Sequence, residues 1–250
     1  MKYSFGTLVT LHKAFGVLLA LLCSLLYPVM ALAGVEDDYF KAVMLDNPYE
    51  VAKLLKNGVS PNLTEPKRGD SGLILAVREE SMQVFGVLLK AWGINLDFRA
   101  RNGDSALMIA AWKENKAAVE ALLGKGVEVN RQGWTALHYA AAKGNNPIVQ
   151  LLIDSAANLD ARSPGGVTPM MMAAQSGHIY TVKLLHDAGA DSELEDRQGR
   201  TVLDFAEQGG HQDIVEGLKY RQARADRRRV ADKPQAPFAP FVPVRLPPMD

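Results

Sequence analysis

A four-residue motif returns five times along the chain at nearly constant spacing. It reads Ser71-Gly72-Leu73-Ile74, Ser105-Ala106-Leu107-Met108, Thr135-Ala136-Leu137-His138, Thr168-Pro169-Met170-Met171 and Thr201-Val202-Leu203-Asp204, at steps of 34, 30, 33 and 33 residues. Each copy keeps an alanine five residues after its first position (Ala76, Ala110, Ala140, Ala173, Ala206) and a leucine twelve residues further on (Leu88, Leu122, Leu152, Leu185, Leu218). A glycine stands two residues ahead of every copy: Gly69, Gly103, Gly133, Gly166 and Gly199. A chain patterned in this way folds as a row of like units, each too small to cover its own apolar side and each covered by its neighbours.

The residue types suit pairs of short helices. Serine or threonine at the first position can accept a hydrogen bond from the opening turn of a helix, and the proline or alanine that can follow is tolerated there. The alanines keep the first helix thin enough for close approach, and the leucines of the second helix supply the shared core. Gly58, Gly126 and Gly189 are placed to end second helices in the left-handed conformation. The glycines ahead of the motif suit tight turns between units.

These motifs resemble the ankyrin repeat. The best single copy is Gly133-Trp134-Thr135-Ala136-Leu137-His138-Tyr139-Ala140-Ala141, and the second half is clearest in Gly177-His178 through Leu184-Leu185 and Gly189-Ala190-Asp191. A degenerate first unit keeps Ala42, Leu54-Leu55, Gly58 and Asn62 but lacks the motif. The resemblance covers about residues 36–220. It implies an all-α solenoid of about six helix-turn-helix repeats with short hairpin fingers, at about 36–66, 67–100, 101–130, 131–163, 164–196 and 197–220. Three irregularities stand out: a finger at 129–133 that is three residues short, one extra residue near Trp92, and one around Thr64–Lys67.

Residues 1–33 read as a signal peptide. Lys2 and Lys13 precede an apolar run from Ala14 to Tyr27, Pro28 breaks the helix, and Ala31-Leu32-Ala33 is a small-x-small cleavage site. The run is too short for a comfortable transmembrane helix. The expected location is the periplasm or the exterior, with the mature chain starting at Gly34. The rival reading is an adaptor anchored by an uncleaved N-terminus. The single cysteine, Cys23, lies inside this segment. A mature chain without cysteine would have no disulfide, thiolate metal site or cysteine nucleophile.

Net charge is zero, so no overall field favours nucleic acid or an anionic membrane. Residues 221–250 read as a separate tail, first basic (Arg221, Arg224, Arg227, Arg228, Arg229) and then rich in proline, disordered or extended. Its apolar residues Phe238, Phe241, Val242, Val244 and Leu246 can dock on a partner or on the stack; the plain alternative is a solvated tail.

No catalytic constellation is visible, and no cofactor or metal is expected. His138 sits where ankyrin repeats usually carry a structural histidine, and His178 and His211 follow the glycine that opens a second helix. His186 is expected to face solvent. Met170, Met171 and Met172 occupy core positions, where methionine fills gaps. The remaining alternative is a metal- or stress-linked accessory protein that uses these histidines and methionines. The resemblance implies a non-catalytic monomer that binds another protein on its fingers and first helices, in the manner of exported bacterial ankyrin proteins that inhibit or assist other proteins. The residues it brings forward are Arg78, Arg101, Asp104, Trp112, Lys113, Arg131, Gln132, Trp134, Lys143, Gln175, Arg197 and Arg200. Among them Trp112 and Trp134 are the expected anchors, and the recurring cations favour an acidic partner.

Overall fold

The computed structural model describes residues 34–231, apart from a few side chains near the end; residues 1–33, read above as a signal peptide, and the proline-rich residues 232–250 lie outside the described residues. The described residues fold as an all-helical ankyrin-type solenoid of twelve helices. They are α1 (34–44), α2 (Pro48–Lys56), α3 (Gly72–Arg78), α4 (Met82–Leu88), α5 (Ala106–Trp112), α6 (Lys116–Leu123), α7 (Ala136–Lys143), α8 (Asn146–Asp154), α9 (Pro169–Gln175), α10 (Ile179–Asp187), α11 (Val202–Gly209) and α12 (Gln212–Ala231). Successive pairs form the six repeats.

Two layers follow from the pattern. The first helices pack side by side, α3 on α5, α5 on α7, α7 on α9 and α9 on α11. The alanines make this possible: Ala76, Ala110, Ala140, Ala173 and Ala206 are fully buried. Outer helices cover them, and Leu88, Leu122, Leu152 and Leu185 are likewise sealed from solvent. One continuous core runs from Tyr39 to Leu218.

Capping explains where the helices begin. Ser71, Ser105 and Thr168 accept backbone N–H bonds at the third position of α3, α5 and α9. Second helices use asparagine instead: Asn47, Asn115 and Asn145 cap α2, α6 and α8. Each cap of this kind contributes about 1 kcal/mol. Gly58, Gly126 and Gly189 have φ of 92, 76 and 101°, and the five finger glycines lie between 70 and 88°.

Gly72 and Gly166 are among the glycines required for space. A Cβ on Gly72 would lie 2.1 Å from the Tyr39 hydroxyl; Tyr39 is the fully buried side chain by which α1 closes the N-terminal end. At Gly166, φ is 83° and a Cβ would fall 2.9 Å from the Arg197 backbone nitrogen. There the obstacle is main chain of the next finger and cannot rotate away. Gly166→Ala is expected to lower stability by about 2–3 kcal/mol from combined backbone strain and clash. Urea unfolding measures the loss, and an unchanged midpoint would refute the close approach.

The irregular spots resolve physically. The extra residue of the second repeat forms a protruding turn that leaves Trp92 96% exposed. The basic stretch after Tyr220 differs from the expected disordered tail: α12 continues to Ala231. Alanine, arginine and glutamine favour helix, and Arg221 bonds Asp187 at 2.6 Å while Gln222 bonds Glu193. His186 is correspondingly not simply solvent-facing. It is half-buried against α12, and its Nδ1 accepts a bond from Arg221 at 3.0 Å.

Candidate functional site

The first helices and fingers of the middle repeats carry an aromatic cluster. Trp112 ends α5 and is 46% exposed. Its ring meets Tyr139 of α7 edge-on, with centroids 5.8 Å apart at 86°. Trp134, half-buried ahead of α7, packs edge-on against His138 at 5.2 Å and lies 6.5 Å from Tyr139. With Ala142 and Met172 these rings line a pocket of about 160 Å³. Lys143 stands over Trp112, its Nζ 4.8 Å from the ring centre, and pairs with Glu114 at 3.6 Å. Lys113 pairs with Glu80 at 2.8 Å one repeat earlier. An apolar slot rimmed by lysine–glutamate pairs is the outcome.

A buried polar chain supports the slot from below. Arg78 donates from Nε and Nη2 to both carboxylate oxygens of Asp70, at 2.8 and 3.2 Å, and its Nη2 lies 3.6 Å from Asp104. Asp104 in turn accepts the Tyr139 hydroxyl at 2.8 Å and the Asn102 amide at 2.6 Å. Burial and the Asp104 bond push the Tyr139 phenol up to about 12. Burial works against the Arg78 charge, yet the bond and charge of Asp70, with Asp104, hold the guanidinium above its ordinary range.

His138 completes the frame. Its Nδ1 accepts from the Thr135 backbone N–H at 3.2 Å, so Nε2 carries the hydrogen donated to the Val167 carbonyl at 2.9 Å. Burial depresses its pKa to about 4. His178 and His211 make comparable links between repeats, Nε2 to the carbonyls of Ala142 and Gln175, each at 3.1 Å. Met170 and Met171 are core residues, while Met172 reaches the pocket. Among the described residues no group of three or more histidine, aspartate or glutamate side chains is arranged to hold a metal ion. No helix of the described residues is long and apolar enough to cross a membrane.

The side chains singled out from the sequence fall into three groups. Trp112, Trp134, Lys113 and Lys143 gather at the slot. Arg78 and Asp104 are withdrawn into the polar chain, and Arg200 is tied to Asp196 at 2.6 Å and stacked 4.5 Å over Phe205. Arg101, Gln132, Gln175 and Arg197 are exposed, and Arg131 is half-exposed beside Glu128. Tyr139 was not among the residues singled out. The signal for it was present: the equivalent positions are Leu75, Ile109, Met172 and Phe205, so Tyr139 is the one member of that column with a polar tip.

Stacked helical pairs with an open aromatic slot define a repeat solenoid of the protein-binding kind. The chain belongs to the ankyrin-repeat family: the model for ankyrin repeats (three copies) matches residues 40–132, 97–163, 118–196 and 137–229. Repeats of this family mediate protein–protein interaction and are generally non-catalytic. The chain is 33% identical over 122 residues to SH3 and multiple ankyrin repeat domains protein 2 of Homo sapiens, covering 47% of this chain and 6% of that protein. It is 32% identical over 136 residues to the nuclear factor NF-kappa-B p105 subunit of Gallus gallus, covering 52% of this chain and 14% of that one. The match thus spans a small part of these relatives. The solved ankyrin repeat protein EF0377 superposes with a TM-score of 0.64 at 24% identity, over 73% of this chain and 96% of that one, a likeness of fold.

Proposed function

We propose that the chain is exported under the direction of residues 1–33, is cleaved after Ala33, and works in the periplasm or outside the cell as a monomeric, non-catalytic adaptor that grips another protein on its fingers and first helices. The observation that carries this reading is Trp112. A large ring left 46% exposed on a rigid helix, beside an open pocket and under a lysine, is how binding anchors are presented. The buried Asp70–Arg78–Asp104–Tyr139 chain supports it by holding the neighbouring ring at fixed height before any partner arrives.

The test compares affinity capture from a periplasmic extract by the purified protein and by a Trp112→Ala/Trp134→Ala variant. A protein retained by the first is expected to bind the second more weakly by about 2 kcal/mol or more, while the helical signal and cooperative melting persist. Equal capture by both would remove the slot from the binding site. Intact mass of the exported protein checks processing: a mass that includes Met1–Ala33 contradicts cleavage.

A further inference from the structure

The fingers are not equivalent. Four close with a backbone bond: Glu65 N–H to Asp70 O, Ala100 to Asp104 and Asp196 to Arg200, each 2.9 Å, and Ser163 to Val167 at 3.0 Å. Two further bonds fasten neighbouring fingers together, Arg101 N–H to Arg68 O at 3.1 Å and Arg197 N–H to Gly165 O at 2.9 Å. The short finger at 129–133 takes part in neither kind among the described residues. Its missing length leaves a cleft of about 820 Å³ between itself and the next finger.

Three arginines at successive fingers line that cleft: Arg131, Arg162 and Arg197. Backbone carbonyls aim two of them. Arg131 donates to Asp97 O at 3.1 Å and Arg162 to Glu195 O at 2.8 Å. Each of these contacts uses one N–H of the planar fork, and the guanidinium carries five. Arg131 also pairs with Glu128. Neither Arg162 nor Arg197 forms an ion pair with a described carboxylate. Asp160 is the one acidic side chain lining the cleft, and its carboxylate is already engaged by the Asp191 N–H at 2.9 Å.

Cations held at fixed positions around an open polar cleft favour an anionic occupant, because arginine forks match carboxylates two bonds at a time. The size of the space selects among anions: it is in the range of sites that enclose whole ligands, far larger than one inorganic ion. We propose that the cleft receives an aspartate- and glutamate-rich segment of the partner protein. The proposal rests on the adaptor reading above and adds to it a second contact, separate from the aromatic slot.

Hexaglutamate, titrated calorimetrically at low salt, is the probe. Arg131→Gln/Arg162→Gln/Arg197→Gln is expected to weaken its binding at least about tenfold, whereas Lys56→Gln/Lys90→Gln/Lys125→Gln, with the same charge change elsewhere, shifts it less than about twofold. A second variant keeps every arginine and inserts Gly-Asn-Gly after Gln132, restoring the missing finger length; it is expected to lose the peptide as well. Equal weakening in the arginine and lysine variants, or undiminished binding by the insertion variant, overturns the cleft. So does displacement of the peptide by equimolar inorganic phosphate, which would mark a small-anion site. Trp112→Ala/Trp134→Ala is expected to bind hexaglutamate normally, so the slot and the cleft can fail independently.

Discussion

Arg78→Met is expected to lower stability by about 3–5 kcal/mol, the usual consequence of removing one partner from a buried ion pair. The Asp70 side chain is fully buried and that of Asp104 nearly so. Without the guanidinium, the buried Asp70 carboxylate loses its bidentate partner. Asp104 fares better, since Tyr139 and Asn102 still donate to it. The double variant Asp70→Asn/Arg78→Met removes the stranded charge and is expected to recover most of the loss. Urea unfolding of the two variants checks this; an equally unstable double variant would show that packing of the arginine stem, rather than its charge, matters. Neighbouring repeats are coupled mainly through their shared interfaces, so the damage is expected first as lost amide protection in α3 and α5. It also reaches the slot, because Asp104 positions Tyr139 and Tyr139 supports Trp112.

That chain shows what the sequence disclosed and what it withheld. The repeat register, the helix pairs and the left-handed glycines could be read from offsets, and the structural role of His138 from the family resemblance, because each is decided within one unit or between identical positions of adjacent units. Arg78, Asp104 and Arg200 could not be placed by the same means. They occupy exposed positions of an ideal repeat, but their fate depends on which neighbour meets them across a gap of many residues. Aspartate just ahead of the motif at 70 and 104, with arginine at 78 between them, was the available hint. The short finger was visible as a length deficit. That it makes no backbone-to-backbone bond to either neighbouring finger among the described residues, beside a cleft lined by three arginines, is something no spacing records. The helical continuation through Arg221 and Gln222 was hidden for the same reason, since its support comes from Asp187 and Glu193 in the preceding repeat.

Acid is expected to weaken the middle of the solenoid well before the carboxylates titrate. His138 is neutral in the fold, with a pKa held near 4 by burial against an ordinary value of 6.5. The unfolded chain therefore binds a proton that the folded chain refuses. The corresponding stability is complete above about pH 6.5 and declines as the pH falls toward 4, by about 3 kcal/mol across the window. Protonation is also incompatible with the local geometry, since Nδ1 is the acceptor for the Thr135 N–H that starts α7. The hydrogen-bonded carboxylates act in the same sense at lower pH: Glu65, Asp196 and Asp204 have lowered pKa values, so their stabilisation fades from the ordinary carboxylate value downward. Urea midpoints measured from pH 7.5 to 4.5 should fall for the native protein and stay much flatter for His138→Gln, which starts lower but has no proton to gain there. Parallel slopes in the two proteins would mean that the buried ring is not the source. Because α7 carries Tyr139 and follows Trp134, the same window should loosen the aromatic slot, and capture of a partner there should weaken as the pH drops from 6.5 toward 5, while hexaglutamate binding at the arginine cleft holds until the middle repeats open.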